Sequence, residues 1–68
     1  MSKYDYDASK EVAAADYPFY ALIMAAMRGA DPVNADKLAA AWPDVWDELN
    51  ERYHSPGGLL ASEREATA

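Results

Sequence analysis

Asp44, Asp47, Glu48 and Glu51 put four carboxylates into eight residues. On a helix, Asp44/Glu48 and Asp47/Glu51 are i,i+4 pairs, so each pair shares a face. Such a face can hold a cation, dock on a basic surface, or simply be solvated. A hard cation asks for more oxygen ligands and an ordered loop, which the pattern does not supply. Glu48 lies four residues before Arg52, an ion pair worth roughly 0.3–0.5 kcal/mol on a helix. A solvated face therefore leads, and acidic docking is the functional reading. His54 is the only histidine. It falls near a predicted helix end, where a cation is favoured, and nothing nearby orients it as a general base. With no Cys, thiolate chemistry and cysteine zinc sites are excluded, and one His leaves no other zinc site. Pro56-Gly57-Gly58 is not followed by the Lys-Ser/Thr of a phosphate loop, so it reads as a chain stop. No nucleophile–base pair stands out. The sequence points to no enzyme, no cofactor and no metal.

The other candidates are apolar. Trp42 and Trp46 share a helical stripe with Leu38, Val45, Leu49 and Tyr53, which is a core pattern. Trp and Tyr also dominate binding hot spots, so the same residues can anchor a partner. Met24 and Met27 carry the same double reading, because Met fills irregular cores and suits adaptable surfaces. Tyr20 lies on their face. The candidate protein-binding set is thus Tyr20, Met24, Met27, Trp42 and Trp46, with Asp44, Asp47, Glu48 and Glu51 as an acidic rim.

These residues need elements to hold them. Tyr17 to Met27 is an uncharged run. Asp16 and Pro18 mark its start and Arg28-Gly29 its end, which predicts a helix over 17–28. That helix is apolar nearly all round, so its own domain or another chain must bury it on several sides. Phe19, Tyr20, Ile23, Met24 and Met27 cover one broad face. Ala21 and Ala25 form the opposite side, where a second helix can approach closely. Before it, Asp7 to Ala15 reads as a weak helix capped by Asp7, with Ala8, Val12 and Ala15 in a thin stripe. Residues 1–7 alternate Tyr and Asp with no second strand to pair, which predicts an extended arm. After a turn at 29–34, either Asp31-Pro32 or Asn34 caps the next helix. Pro43 then splits 35–54. Two helices, 33–41 and 43–54, joined at a sharp bend are favoured over one kinked helix. Ser55 to Gly58 ends the last helix, Leu59 and Leu60 fold back, and 61–68 is a disordered tail.

A chain of 68 residues is one domain, here residues 1–60, with a core barely large enough. The formal charge of −6 argues against nucleic acid and anionic membrane as partners. The longest apolar run is about half a membrane span, and it lies too far in for a signal peptide. A helix-turn-helix reading of 34–53 fails because its recognition helix carries four acids against Arg52. DNA mimicry fits the sign of the charge, although −6 is mild for that role.

Three stretches carry a resemblance: Tyr17-Pro-Phe-Tyr-Ala-Leu-Ile-Met-Ala-Ala-Met-Arg28, Ala39-Ala-Ala-Trp-Pro-Asp-Val-Trp-Asp-Glu-Leu49 and Glu51-Arg-Tyr-His-Ser-Pro-Gly-Gly-Leu-Leu60. From about residue 4 to residue 60 the chain resembles small uncharacterised proteins encoded by phages and prophages of actinobacteria. The likeness is one of sequence texture and brings no catalytic or binding residues. It implies a phage or prophage setting only. Short non-structural phage proteins often bind a host protein, which makes one a candidate partner. The apolar run, too short to span and too far in to be a signal, reads as a protein of the host cytoplasm.

The sequence thus predicts an all-α fold: a compact bundle of three to four short helices with an extended N-terminal arm and a flexible C-terminal tail. The expected role is a non-enzymatic, cytoplasmic protein-interaction module that self-associates, most simply as a dimer. The alternative is an acidic DNA mimic or an atypical nucleic-acid-related regulator.

Overall fold

The first helix, α1, covers Lys3–Ala14, so the expected extended arm is helical. Ser2 and Asp5 explain why. The Ser2 hydroxyl accepts the Asp5 backbone N–H at 3.1 Å, and the Asp5 carboxylate accepts the Ser2 N–H at 2.9 Å. This capping box satisfies two N–H groups that an extended arm would leave to water. It also moves the helix start well upstream of the expected Asp7 cap. Asp7 instead accepts from Lys3 at 2.7 Å inside the helix. At the other end Asp16 sits at φ 56°, a left-handed conformation that Asp tolerates better than most residues.

Here the protein is described from a computed structural model, which covers residues 2–67 and the side chains of residues 2–64. Helix α2 spans Phe19–Gly29. Pro18, not Asp16, occupies its N-cap, and no side chain caps it. Asp16 is turned away by its left-handed backbone. Gly29 does not form the expected left-handed stop either. Ala30 ends the helix by turning to extended backbone, φ −78° and ψ 145°.

Helix α3, Pro32–Ala41, begins where Asp31 accepts the Asn34 N–H at 2.8 Å. Pro32 fills the first turn, where its missing N–H costs nothing. Helix α4 covers Pro43–Tyr53. The predicted break at Pro43 is present: Trp42 between the two helices has φ −132° and ψ 67°. Its N–H donates to the Leu38 carbonyl and its own carbonyl accepts from Trp46, both at 2.9 Å. A single 3-10 turn follows at Pro56–Gly58, with Gly57 and Gly58 at φ 67° and 69°. Residues Ala61–Thr67 then form α5, where the sequence predicts a tail; residue 68 lies outside the described residues.

The fold is all-α, and its compact part is α2–α4. These three helices pack on one another, with α4 touching both partners and the 3-10 turn. Among the described residues Met27 and Leu49 are the buried hydrophobic ones, and Leu22, Ile23, Met24, Leu38, Trp42, Val45 and Trp46 are half-buried. The two buried side chains supply only about 1.5–3 kcal/mol each. Helix α1 packs against no other described element. The molecule measures 48 × 27 × 17 Å. The radius of gyration is 14.5 Å, against about 11 Å for a globule of this length.

Candidate interaction site

The carboxylates of α4 separate according to their position on the helix. Asp44, Asp47 and Glu51 point outward and are exposed. They form no ion pair among the described residues. Glu48 lies nearer the packed side and approaches Arg52 at 3.5 Å, as the i,i+4 spacing predicts. Arg52 does more than that spacing indicates. Its guanidinium grips Glu63 with two parallel bonds, 2.7 Å from Nη1 and 3.0 Å from Nη2. Nη1 also donates to the Gly58 carbonyl at 2.9 Å. Glu63 in turn accepts the Leu60 N–H at 3.0 Å. The fork geometry of a bidentate Arg–carboxylate pair suits this role. The hydrogen bond from Arg52, and then the Leu60 N–H, hold the Glu63 carboxyl below its usual range. The same contact with Glu63 raises Arg52 further above its already high value. The cluster is a structural clip that ties the 3-10 turn and α5 to α4. Among the described residues no group of three acidic, His or Cys side chains is placed to hold a metal ion.

The apolar candidates also divide. Met27 is 4% exposed, so it is core. Met24, Trp42 and Trp46 are half-buried. Tyr20 is 56% exposed, and its ring meets Phe19 edge-on at 5.3 Å. Phe19 is itself 57% exposed and meets Trp42 edge-on at 6.2 Å. Tyr53, expected on the buried stripe, is 68% exposed at the end of α4, with Arg28 over its ring at 5.8 Å. The stripe runs out there because α2 ends opposite it. His54 follows as the helix cap and meets Tyr53 edge-on at 5.3 Å. The candidate binding residues are therefore not one site. Three acids lie on the outer face of α4, Glu48 serves the clip, Met27 lies in the core, Met24 is half-buried on α2, Trp42 and Trp46 line different grooves, and Tyr20 belongs to the exposed ring cluster.

One groove, about 450 Å³, lies between α2 and α4 and is lined by Met27, Arg28, Trp46, Leu49, Tyr53 and His54. The second, about 630 Å³, lies between α2 and α3 and is lined by Ala26, Gly29, Ala30, Lys37, Leu38 and Trp42. Small residues along α2 make this second groove: a Cβ added at Gly29 would meet nothing within 4 Å. Sequence reasoning noted a small side of this helix at Ala21 and Ala25 but missed the groove. The signal was the Ala26–Gly29–Ala30 spacing, which has meaning only once α3 is placed beside it. Lys37 stands at the rim with no ion-pair partner among the described residues. Tyr4, Tyr6, Val12, Tyr17 and Val33 are further exposed large side chains.

Among the described residues no helix is long and apolar enough to cross a membrane. Comparison with protein-family models, with curated proteins and with solved structures finds no match to this chain.

Proposed function

We propose that this protein is a non-enzymatic interaction module of the host cytoplasm that associates with itself and binds a host protein. The observation that carries the reading is the amount of uncovered surface, with large apolar side chains exposed on it. The accessible surface is 5420 Å² for a 7.5 kDa chain, on the order of 1,000 Å² more than a folded monomer of that mass exposes. An excess of that size is comparable to what each partner buries in a standard or larger interface. Phe19 and Tyr20, both more than half exposed on the most apolar helix, supply aromatic anchors of the kind that dominate binding energy. Exposed Asp44, Asp47 and Glu51 supply a charged rim that acts on encounter and partner choice. The host partner rests on the phage resemblance.

Sedimentation equilibrium over a wide concentration range tests self-association, and a constant monomer mass overturns it. A second reading, docking of the acidic face on a basic protein in the manner of a DNA mimic, is favoured by the three unpaired carboxylates alone. Changing Asp47 and Glu51 to Gln separates the two. Loss of salt-dependent binding to a basic partner, together with competition by duplex DNA, supports mimicry. Indifference to both leaves the apolar surface as the site.

A further inference from the structure

We infer that α1 is a docking helix that seats in the α2–α3 groove of a second copy of the chain; this rests on the self-association proposed above. Three observations meet in it. First, α1 is a 12-residue helix that packs against no other described element, although isolated helices of that length are marginal in water. Its residues are not uniformly polar. At 100° per residue, Tyr4, Ala8, Val12 and Ala15 fall in one stripe, with Asp5 on one flank and Glu11 on the other. Tyr4 and Val12 are exposed at 79% and 46%. It is an amphipathic helix without a partner.

Second, the α2–α3 groove is a helix-sized slot without an occupant. Ala26, Gly29 and Ala30 make its floor low, and Leu38 and Trp42 make its wall apolar. The groove's lining runs from Asn34 to Trp42 along α3, about 12 Å at 1.5 Å per residue, which is room for about two turns of α1. An apolar helical stripe laid into such a groove is a common mode of recognition.

Third, the charges fit. Most of the surface is acidic and would repel an acid-flanked helix. The groove offers Lys37, a cation with no ion-pair partner among the described residues, beside apolar side chains, whereas Arg28 of the α2–α4 groove is stacked over the Tyr53 ring. A stripe flanked by Asp5 and Glu11 brings a carboxylate to that rim in either direction of docking.

The connection favours exchange between copies over closure within one. Asp16 at φ 56° and Pro18 at φ −57°, ψ 147° carry α1 away from its own body. The floor of the groove, Ala26 to Ala30, lies at the C-terminal half of α2, while its Trp42 wall meets Phe19 at the N-terminal end. Reaching its own groove would require the backbone at Asp16 to Pro18 to change so that α1 doubles back beside α2. A second copy can present the groove without any change of backbone.

The chain has no Cys, which permits a direct test. Ala8→Cys and Ala26→Cys are made separately, mixed, and oxidised gently, with masses followed by sedimentation. A mixed disulfide between the two variants, well above self-pairing of either one, is the expected result. Bridging only within Ala8→Cys would mean that α1 pairs with α1, and overturns the inference. An internal bridge in a monomeric Ala8→Cys/Ala26→Cys double variant would show closure within one chain, and overturns it equally. A dimer that forms no mixed disulfide refutes the groove while leaving self-association intact, whereas a monomer at every concentration refutes both. Independently, Val12→Asp should weaken the dimer by at least about tenfold without moving the melting of α2–α4 at monomeric dilution, since Val12 touches none of it within one chain. Lys37→Glu should weaken it by a smaller factor that vanishes at high salt. Unchanged association in both variants sinks the proposal.

Discussion

The two terminal helices are held in opposite ways. Helix α1 is well made locally: a capping box, a Lys3–Asp7 pair at 2.7 Å, and Lys10 over the Tyr6 ring at 4.7 Å. None of these reaches another element. Helix α5 has only seven residues, too few to persist by propensity. It is instead fastened by Arg52 and Glu63 across eleven positions of sequence. Local satisfaction and tertiary attachment are thus separable sources of helix stability, and one small chain uses each alone. The helix with only local support is the one free to find an outside partner.

The strongest way to break this contrast is to remove the ground on which one side stands. Leu49→Ala empties one of the two buried positions and should cost about 2–5 kcal/mol. Thermal unfolding followed by hydrogen exchange should show α2–α5 lost together. At monomeric dilution, α1 should keep whatever helicity it had. Equal loss in α1 would mean a coupling that the fold does not contain.

Arg52→Ala should release the 3-10 turn and α5 while α2–α4 stays folded. The readout is exchange of the Leu60 amide and of the amides of 61–67. Acid should do the same without a mutation. The Glu63 carboxyl is held below its usual range in the folded chain. Its contribution is therefore fully present above the ordinary Glu value and is lost as pH falls through the lower, folded value. Protection of α5 that survives full protonation of Glu63 would show that the ion pair is not what holds it. Glu63→Gln should abolish this pH step.

Ser2→Ala acts on the other side of the contrast. Loss of the cap should cost α1 about 1 kcal/mol, visible as reduced helical dichroism with no change in the α2–α4 melting midpoint. The smallest effect belongs to Asp16→Gly. Glycine adopts the left-handed conformation without a Cβ penalty but loses more entropy on folding, so the net gain should be no more than about 1 kcal/mol. A clear destabilisation would mean that the Asp16 side chain has a role its backbone conformation conceals.

Proline and short polar caps made most of the fold legible in the sequence. Pro18, Pro32 and Pro43 each stand within a residue of a helix start, because a missing N–H is harmless only there. The bend at Trp42 followed from Pro43. The N-terminal segment misled for a definite reason. Tyr4, Asp5, Tyr6 and Asp7 alternate, which suggests period two, yet Ser2-Lys-Tyr-Asp5 is also a capping box, and one cap outweighs a four-residue alternation without a pairing strand. The outward face of Asp44, Asp47 and Glu51 could be read from helical spacing alone. The Arg52–Glu63 clip could not, since Gly57 and Gly58 must first turn left-handed to bring the two together. Nor could the sinking of Met27 into the core or the rise of Phe19 out of it. Both depend on where α4 crosses α2, and no pattern within α2 contains that information.

Trp42 has a consequence of a different kind. Its backbone closes α3 through Leu38 and opens α4 through Trp46, so one residue caps the end of one helix and the start of the next. Neither helix has a free end at this joint from which to fray. Heat applied to either should be felt by both, and the pair should melt in a single step with no stage in which one is coiled and the other lost. The indole stands at that joint, so its fluorescence should follow the transition of both helices at once.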